Sequence, residues 1–161
     1  MQALQRTGKE IVQIYDRQVD TVYRICFSFM KNIADTEDMV QETFLRLIRS
    51  DISFVSEEHE KAWLIVTASN LCKDTLKKWW RKTENIDDPS LGLQQPPFEI
   101  DEVLTAIMTL PPDQKTAVYM HYYEGYSAAE IAACLHCPHA TVRSRLARAR
   151  KTLKHKLGGD F

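Results

Sequence analysis

Four groups of side chains in this 161-residue chain have types and spacings that could do chemistry. The first is acidic. A-D-T-E-D-M-V-Q-E-T-F-L-R-L sets Asp35, Glu37, Asp38, Gln41 and Glu42 within two helical turns, with Arg46 one turn further on. Paired carboxylates are the raw material of acid–base catalysis and of metal binding. Here no partner histidine and no phosphate-binding loop accompanies them, so a hydrolase would lack its nucleophile or metal set. Acids early in a helix also favour its dipole. An exposed polar patch that receives a basic partner suits the set better, and the chain is expected not to be an enzyme.

The second group is K-D-T-L-K-K-W-W-R-K, residues 73–82. Lys77, Lys78 and Arg81 interleaved with Trp79 and Trp80 suit single-stranded or melted nucleic acid, because cations hold the backbone while rings stack on exposed bases. Trp79 is nevertheless expected in the core, and the place of Trp80 stays open. The third group runs from His139 to Leu157 and holds seven Lys or Arg residues and no acid. Guanidinium groups match phosphates and the guanine edge in the major groove. His139, Ala140, Thr141, Arg143 and Ser144, near the start of that run, are placed for base edges. Arg145, Arg148, Lys151 and Lys154 are placed mainly for phosphates. A solvated helix face would explain the charge alone, but not the capped helix that precedes it.

The fourth group is C-L-H-C-P-H, with Cys134, His136, Cys137 and His139. Cys-x-x-Cys is a metal or redox spacing. A structural zinc site usually draws four ligands from two separated pairs, whereas these lie within six residues and the other thiols, Cys26 and Cys72, belong to the far half of the chain. No metal and no cofactor is expected.

The elements that must carry these groups are helical. Ile11, Ile14, Tyr15, Val19, Val22, Tyr23 and Cys26 recur at three- and four-residue steps, which predicts a helix over about residues 9–31. Val40, Phe44, Leu47 and Ile48 give a second helix capped by Asp35 or Thr36. Leu64, Ala68, Leu71, Cys72, Thr75, Leu76 and Trp79 give a third. No segment alternates with period two. Residues 83–98, TENIDDPSLGLQQPPF, hold three prolines and a glycine and no helical stripe, so they are expected to be a mobile linker. Beyond it, Ile100 to Ile107 form a short amphipathic stretch. Pro112 opens a helix running to about Glu124, and Gly125 suits a left-handed residue past its end. S-A-A-E, Ser127 to Glu130, is a capping box opening a short helix to Leu135. After the turn HCPH, Val142, Leu146, Ala149, Leu153 and Leu157 line one stripe of a last helix. A short helix, a tight turn and a longer basic helix make a helix-turn-helix, in which Ile131, Ala132, Leu135, Val142 and Leu146 should pack the pair together. His136 falls in the turn where a positive φ costs a non-glycine residue something. The fold class is therefore all-α, with two small helical domains, 1–82 and 99–161, joined by the acidic linker.

With 44% hydrophobic and 27% charged residues the chain reads as globular, not disordered. The formal charge of −1 hides segregation, for Glu84 to Glu102 hold six acids and no Lys or Arg. No apolar run approaches the roughly 20 residues of a membrane span, and the polar start, Met1 to Lys9, is no secretory signal. A cytoplasmic location with four reduced cysteines is the expectation.

Taken together these motifs resemble the extracytoplasmic-function sigma factors. The resemblance rests on Asp35, Glu37, Asp38, Gln41, Glu42 and Phe44, then on Trp63-Leu64, Ala68, Asn70, Asp74 and the basic run from Lys77 to Lys82. In the second half it rests on Leu110 to Gln114, Glu124 to Ser127, Glu130 to Ala132 and Thr141 to Arg150. Ser69, Thr75, Lys115 and Cys137-Pro138-His139 depart from the family pattern.

The resemblance implies a region-2 domain (1–82) that binds the beta-prime coiled coil of RNA polymerase core through Asp35, Glu37, Asp38, Gln41, Glu42 and Arg46. It implies −10 recognition by a base-capturing loop at about Asp51 to Lys61, with Trp63, Asn70, Asp74, Lys77, Lys78 and Arg81 along the DNA track. A region-4 domain (99–161) would lay its last helix in the −35 major groove through His139, Thr141, Arg143, Ser144, Arg145, Arg148 and Lys151. The linker would thread near the RNA exit path. Partners would be the beta-prime and beta subunits of the core, promoter DNA both duplex and melted, and an anti-sigma factor, without direct membrane insertion. A stand-alone helix-turn-helix regulator would explain residues 111–157 but leave the acidic helix and the tryptophan-rich helix without a role.

Overall fold

The computed structural model describes residues 7–82 and 99–157; the expected linker, 83–98, lies outside them. Among the described residues there are seven helices and no strand. The first three are α1 (Gly8–Met30), α2 (Ile33–Arg49) and α3 (Glu57–Lys82). The second half holds α4 (Glu102–Met108), α5 (Pro112–Val118, continuing as a π-helical turn over Tyr119–Tyr123), α6 (Ala128–Leu135) and α7 (His139–Leu157).

Local chemistry sets most of the boundaries. Thr7 caps α1 by accepting from the Glu10 amide, and the helix closes on Lys31 in the left-handed region. For α2 the cap is Asn32, three residues before the expected Asp35. The Asn32 carboxamide oxygen accepts from the Asp35 amide at 2.9 Å, while the Thr36 hydroxyl turns back to donate to the Asn32 carbonyl. The α3 helix begins at Glu57, so residues 57–61 of the expected base-capturing loop are helical. The Ser56 hydroxyl accepts from the His59 amide, and three acids in the first turn favour the helix dipole. Pro112 at the first helical position of α5, the capping box of Ser127 and Glu130, and Gly125 at φ 80° all stand where the sequence puts them.

The α1 helix is the centre of the packing. In the first half it lies against α2 and α3. Glu60, only 5% exposed, accepts from Arg17 Nη2 at 2.9 Å, from Arg17 Nε at 3.2 Å and from Gln18 Nε2 at 3.0 Å, which ties the start of α3 to α1. From the other side α4 and α5 also pack on α1, and α6 packs on α3. The apolar core is consequently one continuous cluster that includes Phe27 and Leu64 from the first half and Tyr119, Ile131 and Leu153 from the second.

Three apolar side chains expected inside are outside, and one of them, Tyr15 of the α1 stripe, is 43% exposed although its ring lies 4.9 Å from that of Phe44. The buried stripe of α3 ends at Cys72, with Leu76 half-buried, so Trp79 lies past the edge of the packing at 41% exposed. Ile48 is 54% exposed, because the inward face of α2 runs through Val40, Phe44 and Leu47.

Two backbone positions give a paired stability test. Gly125→Ala places a Cβ at φ 80° and is expected to lower unfolding free energy by about 1–2 kcal/mol. His136→Gly relieves the same strain at φ 52° at some entropic cost and is expected to raise it by about 0.5–1 kcal/mol. Urea denaturation followed by helical circular dichroism measures both.

Candidate functional site

The acidic set forms an exposed strip on α2. Glu37, Asp38, Gln41 and Arg46 face solvent, and Glu42 is half-buried with Arg46 at 4.0 Å. Asp35 is engaged locally, accepting from the Asn32 carboxamide at 2.6 Å. Leu45 and Ile48 are exposed on the same helix. Sequence periodicity missed this apolar margin because it assigned Ile48 to the core. Between α2 and α3 a groove of ≈ 470 Å³ brings Asp38, Glu42 and Leu45 beside Asp74 and Lys78. The acidic strip and the basic end of α3 therefore meet along one edge.

On α3, Asn70, Asp74, Lys77, Lys78, Trp80 and Arg81 are exposed, and Trp80 at 84% presents nearly its whole ring. Asn70, Asp74, Lys77 and Arg81 recur at helical spacing and share one face. Trp63 is half-buried, its ring edge-on to Phe54 at 5.8 Å, and Phe54 in turn meets the His59 ring at 5.3 Å. The short non-helical segment 50–56 thus carries an aromatic anchor that packs under Trp63. A cavity of ≈ 630 Å³ opens beside it, lined by Trp63 and Asn70 from the first half and by Cys134 and His136 from the second.

In the second half, α6 and α7 make the expected helix-turn-helix. His136 adopts the left-handed conformation, and its amide and that of Cys137 close the end of α6 on Ala133 and Ala132. Ile131, Val142 and Leu146 are buried between the helices, and Leu135 is half-buried. Arg143, Ser144, Arg148 and Lys151 are exposed and, at 3.6 residues per turn, share an arc of about 140°. His139 is exposed at the helix start and Thr141 is half-buried. Arg145 stands apart from that arc. It is half-buried and close enough to Lys73 of α3 to disfavour that lysine's charge, after the larger effect of burial.

Cys134 and Cys137 are half-buried and pack against the core. Among the described residues no three His, Cys, Asp or Glu side chains are grouped as metal ligands would be. Cys26 and Cys72 are fully buried, and burial, followed by the neighbouring Cys72, pushes the Cys26 thiol well above its ordinary range. No described helix is long and apolar enough to cross a membrane.

Comparison with known proteins agrees with this geometry. The Sigma-70 region 2 family matches residues 14–82, and the Sigma-70, region 4 family matches residues 100–153. The ECF RNA polymerase sigma-E factor of Haemophilus influenzae is 33% identical over 141 residues, covering 76% of this chain and 75% of that protein. This chain belongs to the extracytoplasmic-function group of the sigma-70 family. Its function is that of an RNA polymerase sigma factor. A second relative, ECF RNA polymerase sigma factor SigM of Bacillus subtilis, is 33% identical over 155 residues, covering 89% of this sigma factor and 93% of SigM. Two solved structures share the fold. One is the sigma factor RpoE of Bartonella quintana, in complex with the anti-sigma factor NepR. It is 22% identical, with a TM-score of 0.72 over 95% of this chain and 99% of that one. The other is CnrH in complex with the cytosolic domain of CnrY, at 20% identity and a TM-score of 0.64 over 96% and 92% of the two chains.

The contrast among the thiols is directly testable. In the native sigma factor a thiol reagent such as dithiobis-nitrobenzoate is expected to modify Cys134 and Cys137 first, and Cys26 and Cys72 only after unfolding. Peptide mapping of the early product reads the order.

Proposed function

We propose that this sigma factor binds polymerase core through α2 and reads the two promoter elements through α3 and α7. The observation that carries the proposal is the acidic and apolar strip on α2, which lies along the basic, aromatic end of α3 and is followed in the chain by a helix-turn-helix. Glu37, Asp38, Gln41, Glu42 and Arg46, with Leu45 and Ile48 as an apolar margin, form a surface suited to the beta-prime coiled coil, and Asp35 supports it by holding the helix start. Segment 50–56 with Trp63 receives an unstacked base. Extruding a base costs a few kcal/mol, which the pocket must offset. Asn70, Asp74, Lys77, Lys78, Trp80 and Arg81 hold the strand behind it.

Arg143, Ser144, Arg148 and Lys151 face the −35 groove, with His139 and Thr141 at the helix tip. Arg145 joins them only once it leaves α3. The polymerase performs the chemistry, and this chain is no enzyme. It acts in the cytoplasm, on the beta-prime and beta subunits and on duplex and melted promoter DNA. The anti-sigma partner of RpoE favours a similar inhibitor here. The two family matches support treating 1–82 and 99–161 as separate modules. A stand-alone regulator would leave the α2 strip unused, and run-off transcription with added core enzyme separates the two readings. Transcripts from specific genomic promoters support the sigma role, and duplex binding without any core-dependent transcription removes it.

Asp38→Arg combined with Glu42→Arg is expected to weaken association with core about tenfold or more at unchanged helical content, measured by pull-down and circular dichroism; α2 ends the proposal if association is unchanged. For α7, Arg143→Ala is expected to cost on the order of 1–3 kcal/mol on a matched −35 duplex and to relax discrimination there. Arg148→Ala or Lys151→Ala should weaken matched and scrambled duplexes alike and flatten the salt dependence. Titrations of the full chain at two salt concentrations distinguish these outcomes from a merely solvated face.

A further inference from the structure

The seam between the two halves contains a lysine without a carboxylate. Lys115 of α5 is 4% exposed. Its Nζ reaches across the seam to the Ser28 carbonyl of α1 at 2.7 Å and lies 5.0 Å from the centre of the Phe29 ring. Among the described residues it makes no ion pair. The titratable groups that face it are Lys31, just past α1, which opposes its charge, and Cys72 of α3, which favours it.

The rest of the seam is also charged. Lys73 of α3 meets Arg145 of α7 and Asp113 of α5, with Asp74 beside it. Lys61 of α3 pairs with Glu124 at 3.2 Å, and Glu124 accepts from Tyr119, whose hydroxyl also accepts from Arg24 of α1. His59 and His136 line the seam cavity. Burial, then Lys31, brings Lys115 down to about 7, and burial followed by Arg145 lowers Lys73 as well. The carbonyl of Ser28 does not require an ammonium, since a neutral amine still has N–H groups to donate.

We propose that the seam is a proton-sensitive clasp: Lys115 enters it as the neutral amine, so closure releases a proton to water and reopening takes one up. In an open chain Lys115 meets water and recovers its ordinary affinity for protons. Between the closed and open values the open form binds the extra proton, so closure strengthens as pH rises above about 7. Below that, Lys115 is charged in both forms and closure is at its weakest.

The clasp bears on promoter reading, a consequence that rests on the function proposed above. Elements named −10 and −35 lie about 25 base pairs apart, or about 85 Å at about 3.4 Å per pair. A compact chain of this length has a radius of gyration of only about 15 Å. With Trp63 and Asn70 beside Cys134 and His136, the closed form cannot serve both elements, and it also turns Arg145 away from DNA.

Small-angle scattering of the full chain, without DNA or polymerase, tests the clasp apart from any promoter role. For wild type between pH 7 and 9.5 the opening equilibrium constant is expected to fall by up to about tenfold per pH unit. Lys115→Met should stay closed across the range. Lys115→Arg, which keeps its charge, should be more open and insensitive to pH. A flat wild-type profile overturns the proposal. So does a slope retained in Lys115→Met, which would assign the effect to His59, His136 or another group. Should the methionine variant fail to fold, the 15N resonance of the Lys115 amine in closed wild type decides: titration near 7 supports the clasp, and titration near 10 overturns it.

Discussion

Residues 21–30 of α1 must leave water on every side. All of them are buried except Arg24, which is half-buried. A helix in a three-helix unit normally hides one stripe and wets the other. Here α2 and α3 take one side, and α4 and α5 take the other. Val22, Ile25, Cys26, Phe27 and Phe29 thereby belong to a core that neither half encloses alone. The cost falls on the polar groups caught between. Ser28 turns its hydroxyl back onto the Ile25 carbonyl, and its own carbonyl is left to Lys115.

The polar contacts of the seam follow from that arrangement. Arg24, Tyr119, Glu124 and Lys61 form a chain of hydrogen bonds that crosses from α1 to the second half and back to α3. Tyr126 adds a bond to the Glu58 carbonyl at 2.8 Å. Such contacts orient more than they stabilise, since a partly exposed ion pair contributes on the order of 0–1 kcal/mol. Apolar burial holds the halves together, and these bonds fix which faces meet.

Much of this was legible in the residues. The helical class, the capping box at Ser127, the left-handed Gly125 and the helix-turn-helix pairing all come from local rules that a single sequence carries. The acidic face of α2 and the basic face of α7 were also readable, because charge patterning at helical spacing survives folding. What escaped depends on partners distant in sequence. Ile48 and Trp79 look like core residues until the neighbouring helices show where the packing stops. Asn32 hid as a cap because Asp35 and Thr36 are equally good capping types. Nothing local in the sequence marks Lys115 as buried, and it becomes so only where the second half packs on α1 and α3. Arg145 is similar: its spacing assigns it to DNA, while the fold turns it to Lys73.

The wide turn at Tyr119–Tyr123 has a consequence for chain length. Its hydrogen bonds skip one residue more than an α-turn, as the Glu124 amide bonding the Tyr119 carbonyl shows. Tyr119 and Tyr123 stack at 5.0 Å across it. Removing one residue there would restore regular α spacing, yet rotate everything after it by about 100°. Glu124 would swing from Lys61, and Tyr126 from the Glu58 carbonyl. The number of residues between Val118 and Gly125 is therefore constrained independently of their identity, and an insertion or deletion in this stretch should displace Glu124 and Tyr126 from their partners even where every side chain is kept.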